Sequence, residues 1–346
     1  MKIAIIPSQL LKVPPRDYGG LETVCYDLGV ALAKKGHDVT IFAPKGSSLP
    51  GGTVVETGDA PEQTQVDWNA LEEAAYRIYD PRLREFDVIH DHSWFLWPYM
   101  SKFYHQDWKL KVCHTHHGQI AFKTLPPAEV LPMNMIGLSK SHALEISEGL
   151  GIQTRFVYNG VNLESFTYRE NKEDWYLWLN RFSRFKGAHL AIQAAKKAGV
   201  RLKVAGSSFT EPNKDYFEQV KGMCDGSQIE LILDVTNKEK YALLAGAKAL
   251  LQTAVWPFKE PFGLTPIEAA ASGTPTIALI NGATPETVSK ENGVLCVGTE
   301  ELSDTMKAGV SATPKGCREW AQHFSREVMA DAYLNCYRDV IEGRTW

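Results

Sequence analysis

The strongest chemical signal in this 346-residue sequence is a pair of glutamates that brackets a glycine turn. Glu260 and Glu268 are separated by seven residues, and Gly263 lies where a helix is predicted to begin. At such a helix start, the backbone N–H groups of Gly263, Leu264 and Thr265 can point at an anion. Carboxylates do not bind phosphates, but they accept hydrogen bonds from hydroxyl groups. The segment therefore fits a ligand with a sugar, a diphosphate and a ribose, and the alternative is two unconnected surface charges.

Basic residues form a second candidate group, in the segment Asn180–Gly187 at the end of a predicted strand. Arg181 offers a fork of N–H donors and Lys186 a point charge, and both suit phosphate oxygens. Because no cluster of metal ligands accompanies them in the sequence, we expect these cations to neutralise a diphosphate leaving group. Arg184 is interpreted as solvent-facing, and the alternative for the whole group is a solvated loop.

Glycines and histidines supply two further motifs. Gly19 and Gly20 follow the first predicted strand, where a glycine pair either lets the backbone approach a ligand closely or forms a plain tight turn. Histidines collect at the ends of two other predicted strands, at positions 90, 92, 114, 116 and 117. Imidazoles could bind a metal there, but His-x-His on a strand lacks the further ligands of a closed zinc site, so no metal site is predicted.

The elements that must position these residues alternate between short apolar strands and helices. Strands are predicted over 3–6, 38–43, 87–90, 111–115, 135–139, 155–158, 175–179, 201–205, 229–233, 249–252 and 276–279. Helices are predicted over 21–35, 188–197, 238–247 and 264–271, and again after 313. Strands separated by helices imply parallel sheets. The length predicts about two domains, so we expect two doubly wound α/β domains with a cleft between them, joined by a polar linker over 159–174.

Composition and charge argue against several classes of protein. Lysine and arginine total 37 against 41 aspartates and glutamates, and a net charge of −4 disfavours binding to nucleic acid through phosphate contacts. No window approaches about 18 uninterrupted apolar residues, so no membrane span is predicted. The apolar run at the N-terminus is too short for a signal peptide, and six scattered cysteines indicate reduced thiols. We expect a cytoplasmic protein, and a peripheral association with a membrane is left open.

In their order and spacing, these motifs resemble those of the retaining GT-B glycosyltransferases of the glycosyltransferase group 1 (GT4-like) family. The resemblance runs almost end to end through these stretches: Tyr18-Gly-Gly-Leu-Glu22, Lys35-Gly-His-Asp-Val39, Asp87-Val-Ile-His90, Thr115-His-His-Gly118, Tyr158-Asn-Gly-Val-Asn162, Arg181 to Gly187 and the Glu260/Glu268 signature. One departure is Asn180, where the family usually has glycine. The resemblance implies two Rossmann-like domains that face a central cleft. Their expected bounds are 1–165 for the acceptor-side domain and 166–328 for the donor-side domain, with a helix over 329–346 that returns to the first.

The resemblance also implies roles for the candidate residues on the donor side. Arg181 and Lys186 would hold the donor diphosphate. The turn of Phe262, Gly263, Leu264 and Thr265 would meet the phosphate and the sugar, largely through backbone groups. Glu268 would bind the ribose of the nucleotide.

Residues expected beside the transferred sugar complete the implied site. Glu260 would hold the hydroxyl groups of that sugar, and Gly19 and Gly20 would close over the donor from the other domain. His117 matches the active-site histidine of the family, and His114 and His116 are the alternatives for this place.

The implied activity is a metal-independent hexosyl transfer that retains the anomeric configuration. The donor would be a nucleoside diphosphate sugar, for which a UDP-glucose-like sugar is the first candidate and GDP-mannose the second. The donor would be a substrate, and no tightly bound cofactor is expected. The acceptor would be an unidentified hydroxyl of a small metabolite, a glycan or a lipid. No nucleic-acid partner is expected, and oligomerisation is left open. The rival interpretations are a catalytically silent nucleotide-sugar-binding subunit and a GT-B epimerase or phosphorylase.

Overall fold

A computed structural model describes residues 1–16, 19–61, 66–119, 133–208 and 213–346 of the chain. Tyr18, the first residue of the glycine-pair motif, lies outside the described residues. The chain divides into two compact units, one formed by Met1–Gly160 with Arg326–Trp346 and the other by Val161–Ser325. The domain boundaries predicted from the sequence were 165/166 and 328/329.

The N-terminal unit is built on a seven-stranded parallel sheet in which helices connect most successive strands. Its elements up to residue 156 are β1 Lys2–Ile6, α1 Gly20–Lys34, β2 Asp38–Ala43, β3 Thr53–Glu56, α2 Trp68–Tyr79, β4 Val88–Asp91, α3 Trp97–Tyr104, β5 Val112–Thr115, β6 Asn134–Gly137, α4 Lys140–Leu150 and β7 Arg155–Phe156. The strand order is β3-β2-β1-β4-β5-β6-β7, and the neighbouring pairs are parallel. The carboxyl ends of β1, β4 and β5 therefore share one edge of the sheet.

The second unit repeats this plan with a six-stranded parallel sheet. Its elements are β8 Tyr176–Leu179, α5 Ala188–Ala198, β9 Leu202–Gly206, α6 Lys214–Met223, β10 Ile229–Leu233, α7 Asn237–Gly246, β11 Leu250–Gln252, α8 Leu264–Ala271, β12 Thr276–Leu279, α9 Thr284–Thr287, β13 Gly293–Cys296, α10 Thr299–Ala308 and α11 Pro314–Ala321. The strand order is β10-β9-β8-β11-β12-β13. Here β8 and β11 are neighbours, so the loops that follow them lie side by side.

Both sheets are covered on their two faces, which explains why their central strands are apolar without alternation. In β1 every residue after Lys2 is buried, and the central strand β11 is buried throughout. The predicted fold class, two Rossmann-like α/β units with parallel sheets, is confirmed.

The last helix, α12 Arg326–Ile341, belongs to the N-terminal unit. Its first residue forms a buried ion pair with α1, in which Arg326 Nη1 lies 3.2 Å from Asp27 Oδ1. Farther along α12, Tyr333 and Tyr337 are fully buried against β4 and β5. Among the described residues, no helix has both the length and the apolar character needed to cross a membrane.

Candidate functional site

The loop after β8 carries the predicted basic residues and is held against the end of β11 by a glycine. Gly187 has a φ of +71°, and a Cβ atom at this position would lie 2.1 Å from the carbonyl oxygen of Thr253. Only glycine allows this backbone conformation together with so close an approach. The hydroxyl of Thr253 also donates to the Gly187 carbonyl oxygen at 2.9 Å. The contact fixes Lys186, the preceding residue, beside the strand end.

Lys186 and Glu260 form the central ion pair of this unit. Lys186 Nζ lies 2.6 Å from Glu260 Oε2, and both side chains are largely buried, at 11% and 6% exposure. Gln252 Nε2 donates to the same carboxylate oxygen at 3.1 Å. Lys186 Nζ also lies 4.4 Å from the ring centroid of Phe258, within cation–π range. Oε1 of Glu260 accepts no hydrogen bond from the part of the chain that the structure describes, so it is available to a ligand hydroxyl.

The backbone of Glu260 is clamped to the loop that follows β12. The Glu260 N–H donates to Asn281 Oδ1 at 2.7 Å, and its carbonyl oxygen accepts from the N–H of Ala283 at 2.8 Å. Asn281 Nδ2 donates in turn to the carbonyl oxygen of Phe258. Gly282 makes the clamp tight, because a Cβ there would lie 2.4 Å from the Glu260 carbonyl oxygen. These contacts therefore fix the backbone position from which the Glu260 side chain extends.

The predicted turn opens α8 in the expected way. Gly263 is the residue before the helix, with a φ of +81°, and no side chain caps the helix. A Cβ at Gly263 would lie 3.3 Å from Cγ of Glu260, so the turn packs against that side chain. Leu264 and Thr265 are half-buried, whereas Phe262 is buried at 2% exposure. Uncapped N–H groups at a helix start are available to an anion.

Glu268 lies farther along α8 and pairs with a lysine of α7. Lys240 Nζ lies 2.6 Å from Glu268 Oε1, and the Glu268 residue is only 6% exposed. The ion pair occupies one carboxylate oxygen, and the other accepts no hydrogen bond from the residues that the structure describes. Sequence reasoning missed this pairing, since the partner lies on another helix and no local pattern links the two residues.

Arg181, the second predicted phosphate ligand, is exposed. Its guanidinium makes no hydrogen bond or ion pair within the described ranges. Arg184 is also exposed and donates to Gln219 Oε1 at 2.8 Å. The two arginines of this loop thus differ, because only Arg184 is held by a neighbouring side chain.

The glycine pair and the predicted active-site histidine belong to the N-terminal unit. Gly19 precedes α1 with a φ of +156°, and a Cβ there would lie 2.9 Å from Glu22 Oε2. Glu22 is buried and accepts a hydrogen bond of 2.6 Å from Ser8 Oγ. Burial raises the pKa of Glu22. Gly20 begins α1 itself, so the pair lies at the carboxyl edge of β1.

The three candidate histidines, one within β5 and two after it, have different surroundings. His114 is buried, and its Nδ1 lies 2.8 Å from Oδ2 of Asp91. His116 Nε2 contacts the carbonyl oxygen of Gln119 at 3.4 Å, and burial lowers the pKa of His116 to about 3. His117 Nε2 lies 2.8 Å from His92 Nδ1, and burial holds the pKa of His117 well below its usual value. Among the described residues, no group of three or more histidine, cysteine, aspartate or glutamate side chains is arranged to hold a metal ion.

A buried glutamate that sequence reasoning missed holds the loop after β4. Glu72 of α2 is 3% exposed, and its carboxylate accepts from the backbone N–H groups of Trp94, at 2.9 Å, and Phe95, at 3.0 Å. Burial raises the pKa of Glu72 to about 8, although these two hydrogen bonds favour the ionised form. The loop that leaves His92 is thereby tied to α2.

The stability of Glu72→Gln relative to wild type should increase as the pH rises. The folded-state pKa of about 8 exceeds the ordinary value of 4.5, so the stability that Glu72 contributes is complete below pH 4.5 and is lost as the pH rises through 8. The free energy of unfolding of Glu72→Gln relative to that of wild type should therefore rise by up to about 1.4 kcal/mol per pH unit in this window. Melting temperatures at pH 5, 7 and 9 measure it. Glu73→Gln, which alters a neighbour paired with Arg77, is the matched control and should show no such trend.

Comparison with known proteins covers both units. The family "Glycosyltransferase Family 4" matches residues 18–165, and "Glycosyl transferases group 1" matches residues 163–321. An uncharacterized glycosyltransferase of Methanocaldococcus jannaschii is 24% identical over 390 aligned positions, which cover 100% of this chain and 95% of that protein. The D-inositol 3-phosphate glycosyltransferase of Mycobacteroides abscessus is also 24% identical, with 98% and 88% covered.

Solved structures show the same architecture. AviGT4, a glycosyltransferase involved in avilamycin A biosynthesis, superposes with a TM-score of 0.77 at 25% identity, covering 100% of this chain and 99% of that one. The Anabaena protein HepE, solved in complex with UDP-glucose, has a TM-score of 0.75 at 14% identity, with 98% and 100% covered. The two family matches together span nearly the whole chain and agree with the fold. The chain therefore belongs to the group 1, GT4-like glycosyltransferases and is an enzyme of that class with GT-B architecture.

Proposed function

We propose that this glycosyltransferase moves a hexose from a nucleoside diphosphate sugar to an acceptor hydroxyl with retention of configuration. The first candidate for the donor is UDP-glucose-like, and the second is GDP-mannose-like. The observation that carries the proposal is the buried Lys186–Glu260 pair beside the uncapped start of α8. Structural neighbours solved with UDP-glucose, and with ADP and acarbose, support a nucleotide-sugar donor. The acceptor would be a hydroxyl of a small metabolite, a glycan or a lipid.

The diphosphate would bind where positive charge is concentrated. Lys186 and the N–H groups at the start of α8 supply fixed donors, and the exposed guanidinium of Arg181 is free of protein partners in the described ranges. Such preorganised donors stabilise the charge that develops on a leaving diphosphate. The sugar hydroxyls would then meet Oε1 of Glu260, because Lys186 and Gln252 already occupy Oε2.

In the proposed transfer, the bond between the anomeric carbon and the diphosphate oxygen breaks while the acceptor oxygen bonds to the same face of that carbon. The electron pair of the broken bond stays on the nucleoside diphosphate. The acceptor proton passes to an oxygen of the departing phosphate, so no separate protein base is needed. His117 would lie beside the reacting sugar, with Gly19 and Gly20 in the same unit to cover the donor.

Release of UDP from UDP-glucose, followed by proton NMR of the first glucose formed, tests this proposal. Slow hydrolysis by a retaining enzyme gives α-glucose before mutarotation, whereas β-glucose would overturn retention. GDP-mannose serves as the second donor. Binding of nucleotide sugars without release of nucleotide, even with acceptors such as inositol 3-phosphate, would favour the silent-subunit alternative.

Replacing Lys240 with methionine should weaken the binding of UDP by about tenfold, because Glu268 loses the charged partner that holds it toward the ribose. Binding of 2′-deoxy-UDP should fall less, so the variant should discriminate less between ribose and deoxyribose. Isothermal titration with both nucleotides measures this. Lys238→Met alters an exposed lysine of the same helix and should leave both affinities unchanged. An equal loss of affinity for the two nucleotides would contradict a role of Glu268 in binding the ribose.

A further inference from the structure

Three histidine rings, of which His90 and His92 are buried and His117 is half-buried, lie in series at the carboxyl edge of the N-terminal sheet. His117 Nε2 is 2.8 Å from His92 Nδ1, and His92 Nε2 is 3.2 Å from His90 Nδ1. The series ends on two hydroxyls, because His90 Nδ1 lies 2.7 Å from the Tyr337 hydroxyl and His90 Nε2 lies 2.8 Å from Thr115 Oγ1. His90 and His92 are 0% and 1% exposed, so water does not replace these partners.

The rings are neutral, and this limits where their protons can be. Burial lowers the pKa of all three well below the usual range. A neutral imidazole has one N–H and one acceptor nitrogen, so each ring-to-ring contact needs a proton on one side only. If His117 carries its proton on Nε2, His92 must carry its own on Nε2 and donate to His90. If His117 carries it on Nδ1, His92 must carry its own on Nδ1, and His90 must then donate from Nδ1.

The two arrangements exchange only as a set. A change of tautomer in one ring leaves either two N–H groups or two lone pairs facing each other in a buried site, and an unsatisfied buried polar group is costly. His114 does not take part, since its Nδ1 pairs with Asp91. The tautomer of His117 is therefore tied to hydroxyl groups two rings away, on β5 and on α12.

We propose that His92 and His90 are positioning residues that fix which ring nitrogen of His117 carries its proton. This inference rests on the proposed function only in placing His117 beside the reacting sugar. A histidine held in one tautomer presents one defined group, donor or acceptor, on its free nitrogen. The proposal also accounts for the His-x-His motif of β4, for which the sequence offered only an unconvincing metal site.

Two substitutions at position 92 separate positioning from packing. Asparagine places its amide near the position of the lost Nδ1, so His92→Asn retains a partner for His117. Glutamine reaches the position of the lost Nε2, so His92→Gln retains a partner for His90 but not for His117. Nitrogen-15 NMR of the labelled full-length protein reports the tautomer of each ring, and the signals of His117 are identified by their loss in His117→Gln.

We expect one tautomer of His117 in wild type and a mixture in both variants, because each variant interrupts the series between His117 and His90. UDP release from UDP-glucose should fall about tenfold or more in kcat for His92→Gln, with KM little changed, in line with the loss of groups that orient a functional histidine. A mixture in wild type, or the wild-type tautomer of His117 in either variant, would overturn the proposal. If the position 92 variants do not fold, Tyr337→Phe must still change the ring nitrogen shifts of His90 and His117. A wild-type protein that releases nucleotide from neither UDP-glucose nor GDP-mannose, with or without an acceptor, would refute the proposed function, while the tautomer result would stand by itself.

Discussion

Replacing Lys186 with methionine should lower the rate of sugar transfer by about 10²–10³, the range found when one preorganised donor is removed from a comparable site. Lys186 Nζ lies 2.6 Å from Glu260 Oε2, and in the proposed function it would neutralise the leaving diphosphate and orient the carboxylate that would meet the sugar. The loss should fall mainly on kcat, because the leaving-group charge is greatest in the transition state. UDP release from UDP-glucose measures it.

The same loop supplies a matched control for this prediction. Arg184→Met removes a positive charge two residues away, from a side chain that binds Gln219 on the surface, and should leave the rate nearly unchanged. Removing one partner of a buried ion pair also destabilises a protein, so melting temperatures must accompany the rates. If Lys186→Met stays folded and keeps its turnover, the placement of the donor diphosphate is wrong.

Lowering the pH from 7 to 5 should destabilise the N-terminal unit steeply. Besides the partly exposed His37, five of its histidines have pKa values lowered chiefly by burial, and they are His90, His92, His116, His117 and His142. The unfolded chain takes up these protons below about pH 6.5, whereas the folded chain resists them down to about 3 for His116 and about 4 for His142. The unfolded state then binds more protons, so stability falls as the pH falls.

The loss of stability at low pH is large because several histidines contribute to it. Each buried neutral histidine costs up to about 1.4 kcal/mol per pH unit below its unfolded pKa, so five together outweigh Glu72, whose contribution has the opposite sign. Amide hydrogen exchange at pH 7 and 5.5, with rates corrected for intrinsic pH dependence, should show β4 and β5 losing far more protection than β9 and β11. Equal changes in both sheets, or none, would contradict the assigned burial of these rings.

The fold was largely accessible from the sequence because most of its strands are short, apolar and bounded by turn residues. The strand predicted over 38–43 and the helix predicted over 264–271 match β2 and α8. The strands β3 and β13 were missed, and both are short and half exposed at their two central residues. Short strands that are partly exposed are harder to recognise from the sequence than fully buried ones.

The segment 159–174, predicted as a polar linker, is instead mostly folded into the second unit. Phe166 is buried there, and Lys172 Nζ donates to the Ala245 and Ser272 carbonyl oxygens and to Thr274 Oγ1. These acceptors lie about 70 to 100 residues farther along the chain. A polar stretch held by such distant partners has no local periodicity to reveal it.

The candidate site also contains some residues that the sequence indicates and others that it does not. The types and spacing of Glu260, Gly263 and Glu268 are enough by themselves to indicate a ligand. The residues that orient them are harder to find, because Gln252, Asn281 and Lys240 act through contacts with other elements. Only the position of Gln252, at the end of a predicted strand, was a usable signal. The sequence thus indicates the residues proposed to meet the ligand, while the partners that orient them are brought near only by the fold.

The central claim is that a nucleoside diphosphate sugar binds at the Lys186–Glu260 pair. Thermal unfolding of wild type and Lys186→Met with UDP, GDP, ADP and dTDP, each alone and as its hexose conjugate, tests it most directly. A ligand at 100 times its Kd adds about 2.7 kcal/mol to stability. We predict that one nucleotide raises the melting temperature of wild type, that its sugar conjugate does so too, and that Lys186→Met loses most of the shift. No shift with any nucleotide, or an equal shift in the variant, would contradict the account.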